Sequence, residues 1–418
     1  MSKTLNCFYD FTTCPSSFDI ITYLISAEIT RIRRNLDTLS IFIFKGPIHG
    51  FRFDNKNKSI DENNMYLQNV ILPSLQLIPS VKEISWCEKK DFQLKYLEPG
   101  NVFPRGYDIY RPILGHKSIS GKEFVPARLR NDRPGWFKAP SYAVNLALDY
   151  LKSHFGEKPI ITVSSREAED FDKNKTRRIN LKSWEKVFEM CLSNGMQPII
   201  IRETENAFDN KPLYNNIPEI PIASLHLPFR TALYEKSLLN FFTINGPGAL
   251  GMFGLNNSCH LYTFDEESEV VSSKFYQKRF GMLVGSSCPM TTKSSKFLWD
   301  TQEPKEILKI INDVKINSQI SSELNEFSCQ KNIQYSADTA MQCLLVDLCS
   351  GFILKEDVEL ITNIYNLFKN KVIEIDPFQY MKDVEKRFNY GNKTLPINIT
   401  DKMFALFKKT NLSSSLAS

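Results

Sequence analysis

Residues 5–47 read LNCFYDFTTCPSSFDIITYLISAEITRIRRNLDTLSIFIFKGP. The opening run Leu5-Asn6-Cys7-Phe8-Tyr9 is short and mostly apolar, as in a buried strand. Turn residues Thr12 to Ser17 follow, and Pro15 and Ser16 suit a helix start. Phe18, Ile21, Leu24, Ile25, Ile29 and Ile32 then recur at three- and four-residue spacing, which predicts a helix. Arg31, Arg33 and Arg34 close it, cations favoured at a helix C-terminus. Leu39 to Phe44 is the next strand, stopped by Gly46-Pro47. Strand, helix and strand within about 40 residues form a βαβ unit and require a parallel sheet.

Outward from this unit the rhythm continues. A helix is expected over Asn64 to Leu77 and a strand over Val81 to Cys87. Residues 99–140 carry Pro99, Pro104, Pro112, Pro126, Pro134 and Pro140 with little periodicity, and read as a crossover. Beyond it, helix Tyr142 to Phe155, strand Pro159 to Val163, helix Leu181 to Ser193 and strand Gln197 to Ile201 alternate again. Helix Thr231 to Leu238, strand Asn240 to Ile244, a glycine-rich turn and strand Cys259 to Phe264 follow. The alternation predicts an α/β protein with two Rossmann-like lobes and a helical C-terminal extension. The expected divisions are 1–124, 125–318 and 319–418. In the last, Val358, Ile361, Ile364, Tyr365 and Phe368 make one apolar face, with Met403, Leu406 and Phe407 on another helix.

The 418 residues are 42% apolar and 24% charged, which excludes a disordered chain or a fibrous repeat. Lys plus Arg exceed Asp plus Glu by 52 − 47 = 5, too dilute a surplus to predict nucleic-acid binding. Nine cysteines without a C-x-x-C pair argue against a disulfide scaffold or zinc knuckle, and favour a reducing, cytoplasmic setting. No signal peptide is expected at Met1 to Phe11, and no apolar run is long enough to span a bilayer, so any membrane contact would be peripheral. The tail from Gln319 has 11 basic and 12 acidic residues, so it is not a basic arm; packing on the lobes and self-association both stay open.

The stretch from Asn240 to Phe253, NFFTINGPGALGMF, is the most informative chemically. A strand delivers Asn245, and Gly246, Pro247 and Gly248 offer backbone amides at a helix start, where an anion is attracted. Gly246-Pro-Gly248-Ala-Leu-Gly251 also fits G-x-G-x-x-G, with Asp265 at 265 − 246 = 19 positions, so a dinucleotide-dependent oxidoreductase is an alternative. Strand ends place Arg166 and Arg202 toward the crevice beyond the carboxyl edge of a second-lobe sheet, where guanidiniums clamp phosphate oxygens. Arg230 is a third candidate, and Glu205 and Glu235 could accept hydrogen bonds from a sugar diol. First-lobe strand ends supply Asp10 and His49 as candidate general bases. Asp170-Phe171-Asp172 reads as a solvated loop and not as a manganese motif, and G-x-S-x-G, H-E-x-x-H and the Walker pattern are absent.

The segment from Arg230-Thr-Ala-Leu-Tyr234-Glu235 through Asn245-Gly-Pro-Gly248 to His260-Leu-Tyr-Thr-Phe264 resembles the donor-phosphate loop of GT-B glycosyltransferases. The resemblance covers about residues 5 to 312, with its locally specific match at 230–264. It implies a metal-independent enzyme without a cofactor that moves a sugar from a nucleotide-diphosphate donor to a glycan, lipid-linked or small-molecule acceptor. Donor contacts would then be Arg202, Glu205, Arg230, Glu235 and Asn245 to Gly248, with Arg166 catalytic; no first-lobe residue matches a family motif, so Asp10 and His49 are catalytic candidates by their strand-end position alone. A non-catalytic interaction protein on the same scaffold is the other alternative.

Overall fold

The computed structural model describes residues 3–52, 58–88, 101–104, 107, 124, 127, 132, 135–164, 166–167, 179, 181–264, 266–267, 272–280, 284–288, 290–291, 294–299, 301–317, 355–371, 376–383, 404–405 and 408. Strands β1 (Thr4–Asp10), β2 (Thr38–Phe44), β3 (Val81–Cys87) and β4 (Val102–Phe103) form a first sheet in the order β3-β2-β1-β4. All its pairings are parallel, with Cys7 opposite Ile41 and Tyr9 opposite Ile43. The near-continuous apolar character of β1 follows from burial on both faces. Leu5, Cys7 and Tyr9 pack with Ile20, Ile21, Leu24 and Ile25 of helix Asp19–Arg33. On the opposite face Phe8 stacks on Tyr107 at 4.7 Å and on Phe42 at 5.3 Å.

The second sheet holds β5 (Ile160–Ser164), β6 (Gln197–Ile200), β7 (Leu239–Thr243), β8 (Ser258–Tyr262) and β9 (Ser295–Trp299) in the order β6-β5-β7-β8-β9. It too is wholly parallel. One face buries Ile161, Val163, Phe241 and Leu261 against helices Leu181–Ser193 and Pro304–Asn317 through Trp184, Val187, Ile307 and Ile311. The other face, with Phe242 and helix Leu227–Lys236, joins the same apolar core as β1. The two parallel, helix-covered sheets therefore share one continuous core.

Several local expectations change. Helix 64–77 starts earlier, at Ile60, because Ser59 and Glu62 form a reciprocal capping box. The run then passes through a π-helical stretch, Leu67–Ile71, before ending at Leu77. Residues 99–140 are not only a crossover, since β4 extends the first sheet there. The helix expected from Thr231 begins at Leu227, where the His226 ring accepts from Phe229 N at 3.0 Å and Pro228 fits the first turn. In the tail, helix Lys355–Lys369 buries Ile361 and Ile364, and Tyr365 packs on Phe378 at 5.7 Å. Met403, Leu406, Phe407, Asp170 to Asp172 and Asp265 lie outside the described residues.

Candidate functional site

The order of the second sheet reverses between β5 and β7, and ligands of open α/β sheets bind beyond the carboxyl ends at such a switch point. Two side chains lace the loops there. Asn245 Nδ2 donates to Ser164 O at 2.9 Å, and Arg166 N donates to Thr243 Oγ1 at 3.1 Å. The expected cradle of free amides is not what the turn provides. Gly248 N donates to Asn245 Oδ1 at 2.9 Å, Ala249 N to Gly246 O at 3.1 Å, and Leu250 N to Pro247 O at 3.0 Å. These three donors are consumed in making the turn, so they are not available to an anion.

The glycines answer to packing. A β-carbon on Gly246 would lie 2.5 Å from Phe18 Cβ, and one on Gly251 would lie 2.1 Å from Phe242 Cε2. These two aromatic rings account for the first and third glycines of the G-x-G-x-x-G pattern, and no described feature supports the dinucleotide reading.

Arg166 and Arg202 each lie two residues past a strand end, yet they part company. The Arg202 side chain is 6% exposed and binds Glu167 through Nε at 2.9 Å and Nη2 at 2.5 Å. It also meets Asp209 at 3.2 Å, Glu219 at 3.6 Å and Lys211 O at 3.0 Å. With its donors so committed, Arg202 does not serve as the phosphate clamp expected of it. It fixes the loop after β6, because Glu167 also accepts from Glu203 N at 2.8 Å while Glu167 N donates to Glu203 Oε2 at 2.9 Å. The Arg166 side chain remains 29% exposed, with Nη1 3.6 Å from Glu203 Oε1. Burial raises the Glu203 carboxyl above its ordinary value, and Arg166 draws it back.

The first lobe meets this edge directly. The Tyr66 hydroxyl donates to Glu205, and Lys58 Nζ sits 3.4 Å from the Tyr66 ring centroid while donating to Ser16 O at 2.9 Å. Burial lowers the Lys58 pKa, opposed by Glu205, Glu62 and Asp19. Burial and Glu205 both raise that of Tyr66, and Arg166 is close enough to act against them. Arg166, Glu203, Glu205, Tyr66 and Lys58 thus form one charged cluster spanning both sheets' carboxyl edges. Sequence reading missed Lys58, Tyr66 and Glu203; the Ser59/Glu62 capping box was the available signal that a helix starts beside Lys58.

The remaining candidates are dispersed. Asp10 is fully buried, its carboxylate accepting from Tyr107 OH at 2.8 Å and Thr12 N at 2.8 Å, so it locks the turn after β1 and is not poised as a base. His49 is exposed, with φ 49°, in a loop closed by Gly46 N donating to Gly50 O at 2.8 Å. Glu235 does not face a sugar site: it accepts from Ala139 N at 2.6 Å and so pins the chain as it enters the second lobe. Arg230 is buried beneath the carboxyl ends of β5 and β6. No trio of metal-ligating side chains and no helix fit to cross a membrane occurs among the described residues.

No family model matches the sequence, and no curated protein is similar to it in sequence. Among solved structures, the chain is similar to the E. coli ADP-heptose LPS heptosyltransferase II, at 11% identity and TM-score 0.45, covering 76% of this chain and 99% of that one. The family 9 glycosyl transferase of Veillonella parvula gives 9% identity and TM-score 0.42, covering 75% and 97%. The iron-containing dodecameric glycosyltransferase TibC of enterotoxigenic E. coli gives 13% identity and TM-score 0.39, covering 76% and 77%. In fold this chain is an α/β protein of two wholly parallel, helix-covered, Rossmann-like sheets.

Proposed function

We propose that the protein is a glycosyltransferase that moves a sugar from a nucleotide-diphosphate donor on the second lobe to an acceptor, glycan, lipid-linked or small, on the first. The observation that carries this reading is the placement of Arg166. Its partly exposed guanidinium lies at the switch point of the second sheet, within electrostatic reach of Tyr66 from the first lobe. A diphosphate leaving group gains negative charge as the glycosidic bond breaks, and a preorganised guanidinium stabilises that charge. Such a guanidinium makes a metal unnecessary for this step. Glu203 and Glu205 suit donor hydroxyls, since a carboxylate oxygen accepts from a diol. Of the two first-lobe candidates for proton acceptor, only His49 has the exposure an acceptor hydroxyl requires. Closure of one lobe on the other would exclude water, which competes with the acceptor. A cytoplasmic enzyme with peripheral membrane contact, and self-association through residues 319–418, belong to the same proposal.

The test is binding and transfer with UDP-, GDP-, ADP- and CDP-sugars. A donor at a hundredfold its Kd should stabilise the protein by about 2.7 kcal/mol. Arg166→Ala should abolish that stabilisation with the circular dichroism spectrum unchanged. If no nucleotide sugar raises the melting temperature, or if Arg166→Ala binds donor as well as wild type does, the reading fails.

A further inference from the structure

Two departures from local preference meet where the first lobe touches the second. Phe18 stands at the N-cap of helix Asp19–Arg33, where Ser, Thr, Asp or Asn would bond an orphan amide, and it makes no such bond. Its side chain instead covers Gly246, where a β-carbon would lie 2.5 Å from Phe18 Cβ. Tyr66 directly precedes the π-helical stretch Leu67–Ile71, a geometry that is rare and concentrated at functional sites. Local preference is thus given up on both sides of one contact between the lobes, and such places are where function is to be sought.

The first-lobe partners are tied into one unit. The Ser16 hydroxyl donates to Asn63 Oδ1, Lys58 Nζ donates to Ser16 O at 2.9 Å, and the Phe18 and Tyr66 rings meet edge to face at 6.4 Å. This unit reaches the second lobe at two points. Phe18 lies on the turn at Gly246, and the Tyr66 hydroxyl donates to Glu205, to whose charge Lys58 is also drawn. Glu205 is itself exposed. A hydrogen bond to an exposed carboxylate adds little net stability, so a ligand that binds only the released state can displace it.

We propose that residues 16–18 and 58–66 are an autoinhibitory strap: they occupy the Gly246 turn and Glu205, and a ligand reaches either only when the strap lifts. Arg166 stays partly exposed with the strap seated, so it can make the first contact. That the ligand is a nucleotide rests on the glycosyltransferase reading; the strap itself does not. Because release and binding share one equilibrium, weakening the strap must tighten binding.

The experiment is amide hydrogen exchange of the full chain, read by mass spectrometry, together with calorimetric titration of UDP, GDP, ADP and CDP. Wild type is compared with Tyr66→Phe, which keeps the ring and loses only the bond to Glu205, and with Phe18→Ala. Tyr66→Phe should speed exchange in residues 203–206 and 245–250 about fivefold, the factor for one hydrogen bond of ordinary net strength, and leave helix Leu181–Ser193 unchanged. It should also bind the nucleoside diphosphate about fivefold more tightly. Phe18→Ala should act in the same direction at the turn, and Tyr66→Phe decides alone if Phe18→Ala fails to fold. Faster exchange in Tyr66→Phe, with no nucleoside diphosphate bound by any form, would uphold the strap and remove the transferase reading. Unchanged exchange in Tyr66→Phe would overturn the strap, as would an affinity no tighter than that of a wild type that binds, and either result leaves the transferase reading standing wherever wild type binds.

Discussion

His260 offers a quantitative check on the packing of the second sheet. It lies in β8, stacked between Phe242 at 5.3 Å and Phe297 at 5.0 Å, with Nε2 3.1 Å from Ser258 Oγ. Complete burial drives its pKa down from 6.5 to about 3, so the native state holds the ring neutral. The unfolded chain takes up the proton at about 6.5 and the native chain does not until near pH 3. Its contribution to stability is therefore intact above pH 6.5 and falls by about 1.4 kcal/mol for each unit below. At pH 5 the loss is about 2 kcal/mol relative to pH 7.5. His260→Phe keeps an aromatic ring in the stack and leaves Ser258 its bond to Ser295 Oγ at 3.1 Å. Urea unfolding of wild type and His260→Phe at pH 7.5 and 5.0 isolates the term, because other titrating groups contribute equally to both proteins. The variant should lose about 2 kcal/mol less than wild type over that interval. Equal losses would mean that the ring is hydrated or charged in the native state, and the buried stack would be refuted.

Glu167→Ala removes the acceptor of two Arg202 bonds and one from Glu203 N, leaving a buried cation under-paired. Denaturant unfolding should show a cost of about 3–5 kcal/mol, and a loss below 1 kcal/mol would exclude the clamp. Gly246→Ala places a methyl group against Phe18 and should cost about 1–3 kcal/mol. Combining it with Phe18→Ala should recover most of that cost, and strictly additive effects would show that the contact is not the cause. Tyr66→Phe deletes the hydrogen bond to Glu205 across the two lobes, a loss of about 1 kcal/mol at this half-buried position. Small-angle scattering should then report a wider spread of lobe separations, and an unchanged profile would mean that the bond does not hold the lobes together.

Much of the scaffold was readable before any coordinates. The strand over Thr38–Phe44 and the helix Leu181–Ser193 are marked by an apolar run and by three-to-four-residue spacing, which depend on neighbours in sequence. Boundaries slipped where a cap decided them, as at Ser59 and His226, since a cap is a single side-chain bond inside a polar stretch. Candidate site residues were harder to place, because type and strand-end position describe Arg166 and Arg202 equally well.

The sequence by itself determined that the chain alternates strand and helix, and hence that its sheets are parallel, because periodicity is local and a parallel crossover needs a helix. It also placed Arg166 and Arg202 just past strand ends at the carboxyl edge of the second sheet, but not Lys58, Tyr66 or Glu203. Only the tertiary structure decided which charges remain available there. Arg202 is neutralised by Glu167 and Glu219, which arrive from other loops, and Gly246 is held to glycine by Phe18 from the first lobe. Desolvation and pairing depend on distances in space between residues remote in sequence, and no local pattern records them.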